Sequence, residues 1–160
     1  MRPSNHIIFY LSSHFYTEYP PTHYPELMHK TNRPYLCLLI PTNNGYYICV
    51  PFRSHIHHRN AYFFKHSKRS REMRSGLDYS KIVMIQDIKY LDLEQSAIVD
   101  RDEYKECYAQ LPKITQAVKR YVSRYADHIT GRKPLHPQQF ARLYQFSTLP
   151  YFHQILLSDQ

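Results

Sequence analysis

Tyr35-Leu36-Cys37-Leu38-Leu39-Ile40, Pro41-Thr42-Asn43-Asn44-Gly45, Tyr46-Tyr47-Ile48-Cys49-Val50 is the stretch that decides the fold. Two apolar runs flank a Pro/Asn/Gly cluster, the pattern of an antiparallel hairpin. If Asn44-Gly45 forms a two-residue loop, Cys37 faces Phe52 and Cys49 faces Ile40, so the two thiols are not partners. With Cys107 the cysteines number three and include no CxxC pair. That usage reads as buried, reduced thiols in a cytoplasmic protein.

Outward from the hairpin, His6 to Leu11 reads as a short first strand. Ser12-Ser13 caps a helical turn through Phe15 and Tyr19, which Pro20-Pro21 ends. Residues 22–34 carry Pro25 and Pro34 and read as a loop. Ile82 to Ile85 is a short buried strand, and Lys89-Tyr90-Leu91 is read as another. From Asp100 the period changes. Tyr104, Cys107, Leu111, Ile114, Val118, Tyr121 and Tyr125 fall three and four apart on one helical face, a spacing typical of core. Asp100 or Asp102 suits the N-cap, Pro112 predicts a kink or break, and Gly131 with Pro134 supplies the stop. His136-Pro137 opens another helix with Phe140, Leu143 and Tyr144 inward, and Pro150 opens a last one. The expectation is one α+β domain over residues 1–160, with an antiparallel sheet early and helices late. Met1 to Tyr10 lacks a signal-peptide core, and no run approaches the roughly 20 apolar residues of a membrane span, so no membrane partner is expected.

Composition narrows the function. The 160 residues are 42% hydrophobic and include 16 Tyr, which argues against disorder. Only 3 Gly leave no material for a Gly-rich phosphate loop or a Rossmann turn. The net charge is +8, and its placement is uneven. Arg53, Arg59, Lys65, Lys68, Arg69, Arg71 and Arg74, against the single acid Glu72, put +6 into 22 residues. His55, His57, His58 and His66 are interleaved, with Tyr62-Phe63-Phe64 between the charges. Cations neutralise phosphates and aromatic faces stack on unpaired bases, so the segment is a nucleic-acid-binding candidate. The plainer reading is a solvated charged loop, with Tyr62 to Phe64 as core.

If the partner is RNA, the simplest reaction without a cofactor is transesterification. The RNA's own 2′-hydroxyl attacks the adjacent phosphate, leaving a 2′,3′-cyclic phosphate and a 5′-hydroxyl. It needs a proton acceptor, cations for the phosphorane and a proton donor. Arg53 and Arg59 supply charge, Ser54 a hydroxyl, His55, His57 and His58 proton transfer, and Asn60 orientation. Composition does not choose among the three histidines. No second Cys or His pair stands at a zinc spacing, so no metal site is expected. No nucleophile elbow surrounds Ser54. A non-catalytic RNA- or DNA-binding regulator would use the same basic segment.

These residues carry a resemblance. Arg33-Pro34-Tyr35, the hairpin, Pro51-Phe52-Arg53-Ser54, then Ile56-x-His58-Arg59-Asn60-Ala61-Tyr62, Gly76-Leu77-Asp78-Tyr79-Ser80-Lys81 and Tyr144-Gln145-Phe146-Ser147-Thr148-Leu149-Pro150-Tyr151-Phe152-His153 are similar to the toxins of type III toxin–antitoxin systems. The likeness is to the TenpN branch of the ToxN/AbiQ superfamily and runs from about Phe15 to Leu156. It implies a MazF/Kid-like, SH3-barrel-derived sheet elaborated by helices. It also implies a metal-independent endoribonuclease acting on mRNA, with a role in growth arrest and phage defence. The partner implied is a small pseudoknot RNA antitoxin processed from tandem repeats, assembled with the toxin into a closed ring. Residue by residue, a family Lys in an Asn-Pro-Lys turn corresponds to Arg33. A Thr-Ser pair corresponds to Arg53-Ser54, keeping the Ser and replacing the Thr by a cation. A further Lys is replaced by Ile56, which moves His58 up as the acid or base. Asn60 matches an Asn, and Lys81 closes the second matched motif within reach of a phosphate. The expected site is therefore Arg33, Arg53, Ser54, His58, Asn60 and Lys81. Arg59, Tyr62, Lys65, Lys68, Arg69, Arg71 and Arg74 would hold the RNA.

Overall fold

A computed structural model of the chain describes residues 6–42 and 45–158. The hairpin is its centre: β2 (Pro34–Ile40) pairs antiparallel with β3 (Tyr46–Arg53). Ile40 lies opposite Tyr46, so the connection is the five-residue stretch 41–45 rather than a two-residue loop. Residues 43 and 44 of the expected turn lie outside the described residues. The shorter pairing has a local cause. Gly45, at φ +54, donates its N–H to both the carbonyl and the hydroxyl of Thr42, which closes the turn before the strands meet. The register consequently puts Cys37 opposite Cys49, correcting the pairing of Cys37 with Phe52 and Cys49 with Ile40. Both thiols are free and wholly buried, as is that of Cys107. Burial, with a hydrogen bond to Cys37, holds the Cys49 thiol well above its ordinary pKa and so protonated.

β3 is the strand on which the sheet turns. One edge carries β2, beyond which lies β1 (His6–Tyr10). The other carries β6 (Val83–Ile85) along Tyr47 to Cys49, then β5 (Gly76–Asp78) along Phe52 and Arg53. The change of partner spans Val50-Pro51, where proline has no N–H to give. β4 (Ala61–Phe63) completes the antiparallel sheet beyond β5. Residues 54–75, which the sequence marks only by charge, thus form a turn, an edge strand and a short helix, α2 (Lys68–Met73). Ser67 and Ser70 close that helix start with reciprocal side-chain and backbone bonds.

The remaining helices are α1 (Ser13–Glu18), α3 (Arg101–Ala109), α4 (Leu111–Ile129), α5 (Pro137–Tyr144) and α6 (His153–Leu157). Ser12 caps α1, Asp100 caps α3 through the N–H groups of Asp102 and Glu103, and His136 caps α5. Pro112 ends up in the first turn of α4, so the periodic stretch is two helices separated at Gln110. Ile114, Val118, Tyr121, Val122 and Tyr125 of α4 join Leu36, Ile48, Val50 and Ile85 of the sheet in one core. Tyr104 leaves the stripe: it is 41% exposed, with its ring against Tyr108. Lys89 to Leu91 is not a strand. The Asp87 carboxylate accepts from the Lys89 N–H and winds Ile88–Tyr90 into a 3₁₀ turn, leaving Leu91 a single bridge to Leu11. Among the described residues no helix is long and apolar enough to cross a membrane.

Gly76 fixes where the basic excursion rejoins the sheet. A Cβ built there would run into the Tyr62 carbonyl oxygen of the neighbouring strand, which is backbone and cannot step aside. Gly76→Ala is therefore expected to destabilise the chain by ~3 kcal/mol, read as a lower denaturant midpoint at unchanged slope. An unchanged midpoint would show that β4 and β5 are not this close.

Candidate active site

The basic segment is held by acids from elsewhere in the chain. Glu106 of α3, 6% exposed, accepts from the Tyr62 hydroxyl at 2.6 Å and from the Lys65 and His66 N–H groups at 2.9 and 3.1 Å. Glu103, one turn earlier and 1% exposed, accepts from the Ser75 and Ser67 hydroxyls at 2.6 and 3.0 Å and from Arg69 Nε at 3.3 Å. Buried carboxylates are tolerated when donors surround them; here those of Glu106 come from β4 and the residues leading into α2, and those of Glu103 from the two ends of α2. Tyr62 is thereby a packed residue, its ring also against Phe64. Lys65, Lys68 and Arg71 are exposed. Arg74 lies over the Phe63 ring at 4.3 Å and donates to the Ile56 carbonyl at 2.6 Å, so it braces the turn that follows β3.

That turn decides which side chains meet. β3 ends at Arg53, and His55 takes φ +56 while its N–H donates to the Met73 carbonyl at 2.6 Å. A left-handed residue reverses the chain. Ile56 is buried, His55 and His57 are exposed, and His58 folds back onto β5. There the fully buried Asp78 accepts from Arg53 Nη1 at 2.7 Å, from His58 Nε2 at 3.1 Å, and from the Ser80 hydroxyl and N–H at 2.7 and 2.9 Å. Burial alone would raise the Asp78 pKa, but hydrogen bonds from His58, Ser80 and Arg53 outweigh it and hold the carboxyl below its ordinary value.

His58 Nδ1 accepts from the Asn60 N–H at 3.0 Å. A neutral ring then carries its proton on Nε2, directed at Asp78, and both ring nitrogens are engaged inside the protein. The Asn60 amide donates to the Arg142 and Leu143 carbonyls at 3.0 and 3.3 Å, tying the turn to α5. Lys81 pairs with Glu26 at 2.8 Å and with the Phe146 carbonyl at 3.0 Å. The structure therefore joins Arg53 to His58 and leaves Asn60 and Lys81 as tethers to the C-terminal helices and the 22–34 loop.

Ser54 belongs to a different group. It lines a cleft of about 390 Å³ with Arg33, Arg69, Lys30, Phe52 and the acids Asp100 and Glu103. Arg33 donates to the Phe52 carbonyl at 2.9 Å, and its Nε is buried with no hydrogen-bond partner among the described residues. Burial lowers the Arg33 pKa, and the neighbouring charges of Arg53 and Arg69 lower it further, against opposing contributions from Tyr35 and Tyr16. A cation in that position gains from any anion that enters.

Compared with known proteins, the chain matches no family model, no curated protein and no solved structure. Arg33, Arg69 and Lys30 converge on the Ser54 cleft and can hold a phosphate there. Arg53, next to Ser54 in the chain, acts on Arg33 by its charge and pairs with Asp78. Asp78, Ser80, Glu103, Glu106 and Lys30 escape the sequence reading. Asp78 and Ser80 do stand in the 76–81 motif, and Asp-x-Ser at a strand end is a recognisable turn cap.

The Asp78 pairing has a pH signature. Its folded pKa is depressed, so its contribution to stability is present above the ordinary value of 3.8 and is lost as pH falls through the lower folded value. Unfolding free energy measured against pH should fall less steeply below pH 3.8 in Asp78→Asn than in the parent. Equal slopes would mean that the carboxylate is not held in this network.

Proposed function

We propose that the chain is an endoribonuclease that cleaves single-stranded RNA by attack of the 2′-hydroxyl on the adjacent phosphate, without a metal. The observation that carries this reading is the convergence of Arg33, Arg69 and Lys30 on Ser54, with Arg53 alongside, at the point where β3 leaves the sheet. The scissile phosphate enters the cleft. Arg33 and Arg69 bind its non-bridging oxygens and stabilise the extra charge of the phosphorane, and the Ser54 hydroxyl orients it. The 2′-oxygen loses its proton to a base and bonds to phosphorus. The bond from phosphorus to the 5′-oxygen breaks, and that oxygen takes up a proton. A 2′,3′-cyclic phosphate and a 5′-hydroxyl remain.

His58 is the expected acid or base, but both its nitrogens are engaged, and its place is to position Asp78 and Arg53. His55 and His57, exposed on the same turn, are the histidines with room to approach a substrate. The fold reading that accompanies this function is a MazF/Kid-like sheet with a helical C-terminal half, and the biological role is that of a type III toxin. Its substrate is mRNA, its inhibitor a processed pseudoknot RNA that closes the toxin into a ring, and its site of action the cytoplasm. The motifs from Arg33-Pro34-Tyr35 to the 144–153 ending support that role.

One observation favours a second reading, an RNA- or DNA-binding regulator that does not cleave: the engaged nitrogens of His58 leave the Asp78 network without a free base. A single assay separates the two. Incubated with a synthetic single-stranded RNA in EDTA, the protein should generate cyclic-phosphate ends. Ser54→Ala should lower that rate at least a hundredfold while retaining RNA affinity within about threefold. RNA that is bound but left intact after incubation would favour the regulator. A demand for divalent metal would overturn the mechanism.

A further inference from the structure

A second basic groove lies where the turn after β3 meets the C-terminal helices. Arg59, Asn60, Arg124, Gln139, Arg142 and Leu143 line a space of about 380 Å³. Among the described residues its lining holds three guanidinium groups and no carboxylate, unlike the Ser54 cleft with Asp100 and Glu103. Among the described residues, none of the ion pairs involves Arg59, Arg124 or Arg142. Three like charges gathered on one concave surface repel one another, and an anion relieves that repulsion. The groove is also held in shape. Asn60 bonds to the Arg142 and Leu143 carbonyls. The Tyr121 hydroxyl donates to the Leu143 carbonyl at 2.7 Å, and the Tyr144 hydroxyl donates to the Tyr121 carbonyl at 2.7 Å. Arg142 on α5 and Arg124 on α4 are thus fixed relative to Arg59 on the turn.

We propose that this groove is a second RNA-backbone site, which takes phosphates of the same strand away from the one in the Ser54 cleft. The inference rests on the proposed RNA reading and extends it. One turn supplies Ser54 to the first site and Arg59 and Asn60 to the second, so a strand following the turn meets both. Gln139 and the Asn60 side chain add neutral donors and acceptors suited to sugar hydroxyls or base edges. The +6 segment therefore accounts for only part of the RNA-binding surface. Two of the three cations here, Arg124 and Arg142, come from the helical half, outside that segment.

The test uses the full chain and 2′-O-methyl RNA, which lacks the attacking hydroxyl and stays intact during binding. Affinity is measured for strands of about four and about twelve nucleotides across a salt series. The double variant Arg124→Gln/Arg142→Gln should bind the longer strand about tenfold more weakly than the parent. The slope of log affinity against log salt should become shallower by about 0.7 for each phosphate that the variant no longer neutralises. Binding of the short strand, which fits within the Ser54 cleft, should stay within twofold of the parent. Arg120→Gln, on the exposed face of α4 outside the groove, should leave both affinities within twofold of the parent. Equal affinity of parent and double variant for the longer strand would overturn the groove while leaving the RNA reading intact. An equal weakening on both strands, or a comparable weakening in Arg120→Gln, would overturn it as well, because general electrostatics would then suffice. A parent that binds neither strand would overturn the RNA reading itself.

Discussion

Glu103 and Glu106, buried on one face of α3, hold the basic segment in place, and the rest of the site depends on them. Seven cations against one acid in 22 residues repel one another, and a free loop of that composition would extend into solvent. Here the two carboxylates collect the N–H groups of Lys65 and His66 and the hydroxyls of Tyr62, Ser67 and Ser75. They also hold Arg69 by its Nε. These bonds turn a repulsive run into an edge strand, a capped helix and a return to the sheet. Asp78 does the same for the turn after β3, holding Arg53, His58 and Ser80. Because each acid is buried and surrounded by donors, removing one would strand several polar groups at once.

The cations are thereby sorted into two kinds. Arg53, Arg69 and Arg74 each have a bond that fixes the backbone or a buried acid, and their remaining donors are aimed by that bond. Lys65, Lys68 and Arg71 face solvent and contribute field rather than geometry. Arg33 stands apart. It comes from just before the first strand of the hairpin, has a buried Nε without a partner among the described residues, and meets Ser54 across a cleft that no single stretch of chain builds. An anion in that cleft is the simplest way to relieve what burial and two like-charged neighbours impose on it.

Much of the scaffold is legible in the sequence because it rests on local rules. The Tyr35 to Val50 hairpin, the Ser12, Asp100 and His136 caps, the break at Pro112 and the stop at Gly131 each follow from a few neighbouring residues. The hairpin register is not legible in this way. It depends on how Thr42 and Gly45 close the turn, and a three-residue change in loop length moves Cys37 opposite Cys49. Lys89 to Leu91 has the composition of a strand, yet the Asp87 side chain outcompetes strand pairing. The site is legible as charge but not as geometry. Arg33, Arg53, Ser54 and His58 stand out by type. What separates Ser54 from His58, and commits Asn60 and Lys81 to tethering, is the left-handed turn at His55 together with partners as far away as Glu26, Arg142 and Phe146. Such partners leave no trace in local pattern.

The central claim is that a scissile phosphate sits between Arg33, Ser54 and Arg69. A structure of the protein with a short RNA blocked by 2′-O-methyl groups tests it most directly. The account predicts a phosphate in that cleft, in contact with the Arg33 and Arg69 guanidinium groups and the Ser54 hydroxyl. RNA bound elsewhere, with the cleft empty of phosphate, would contradict it.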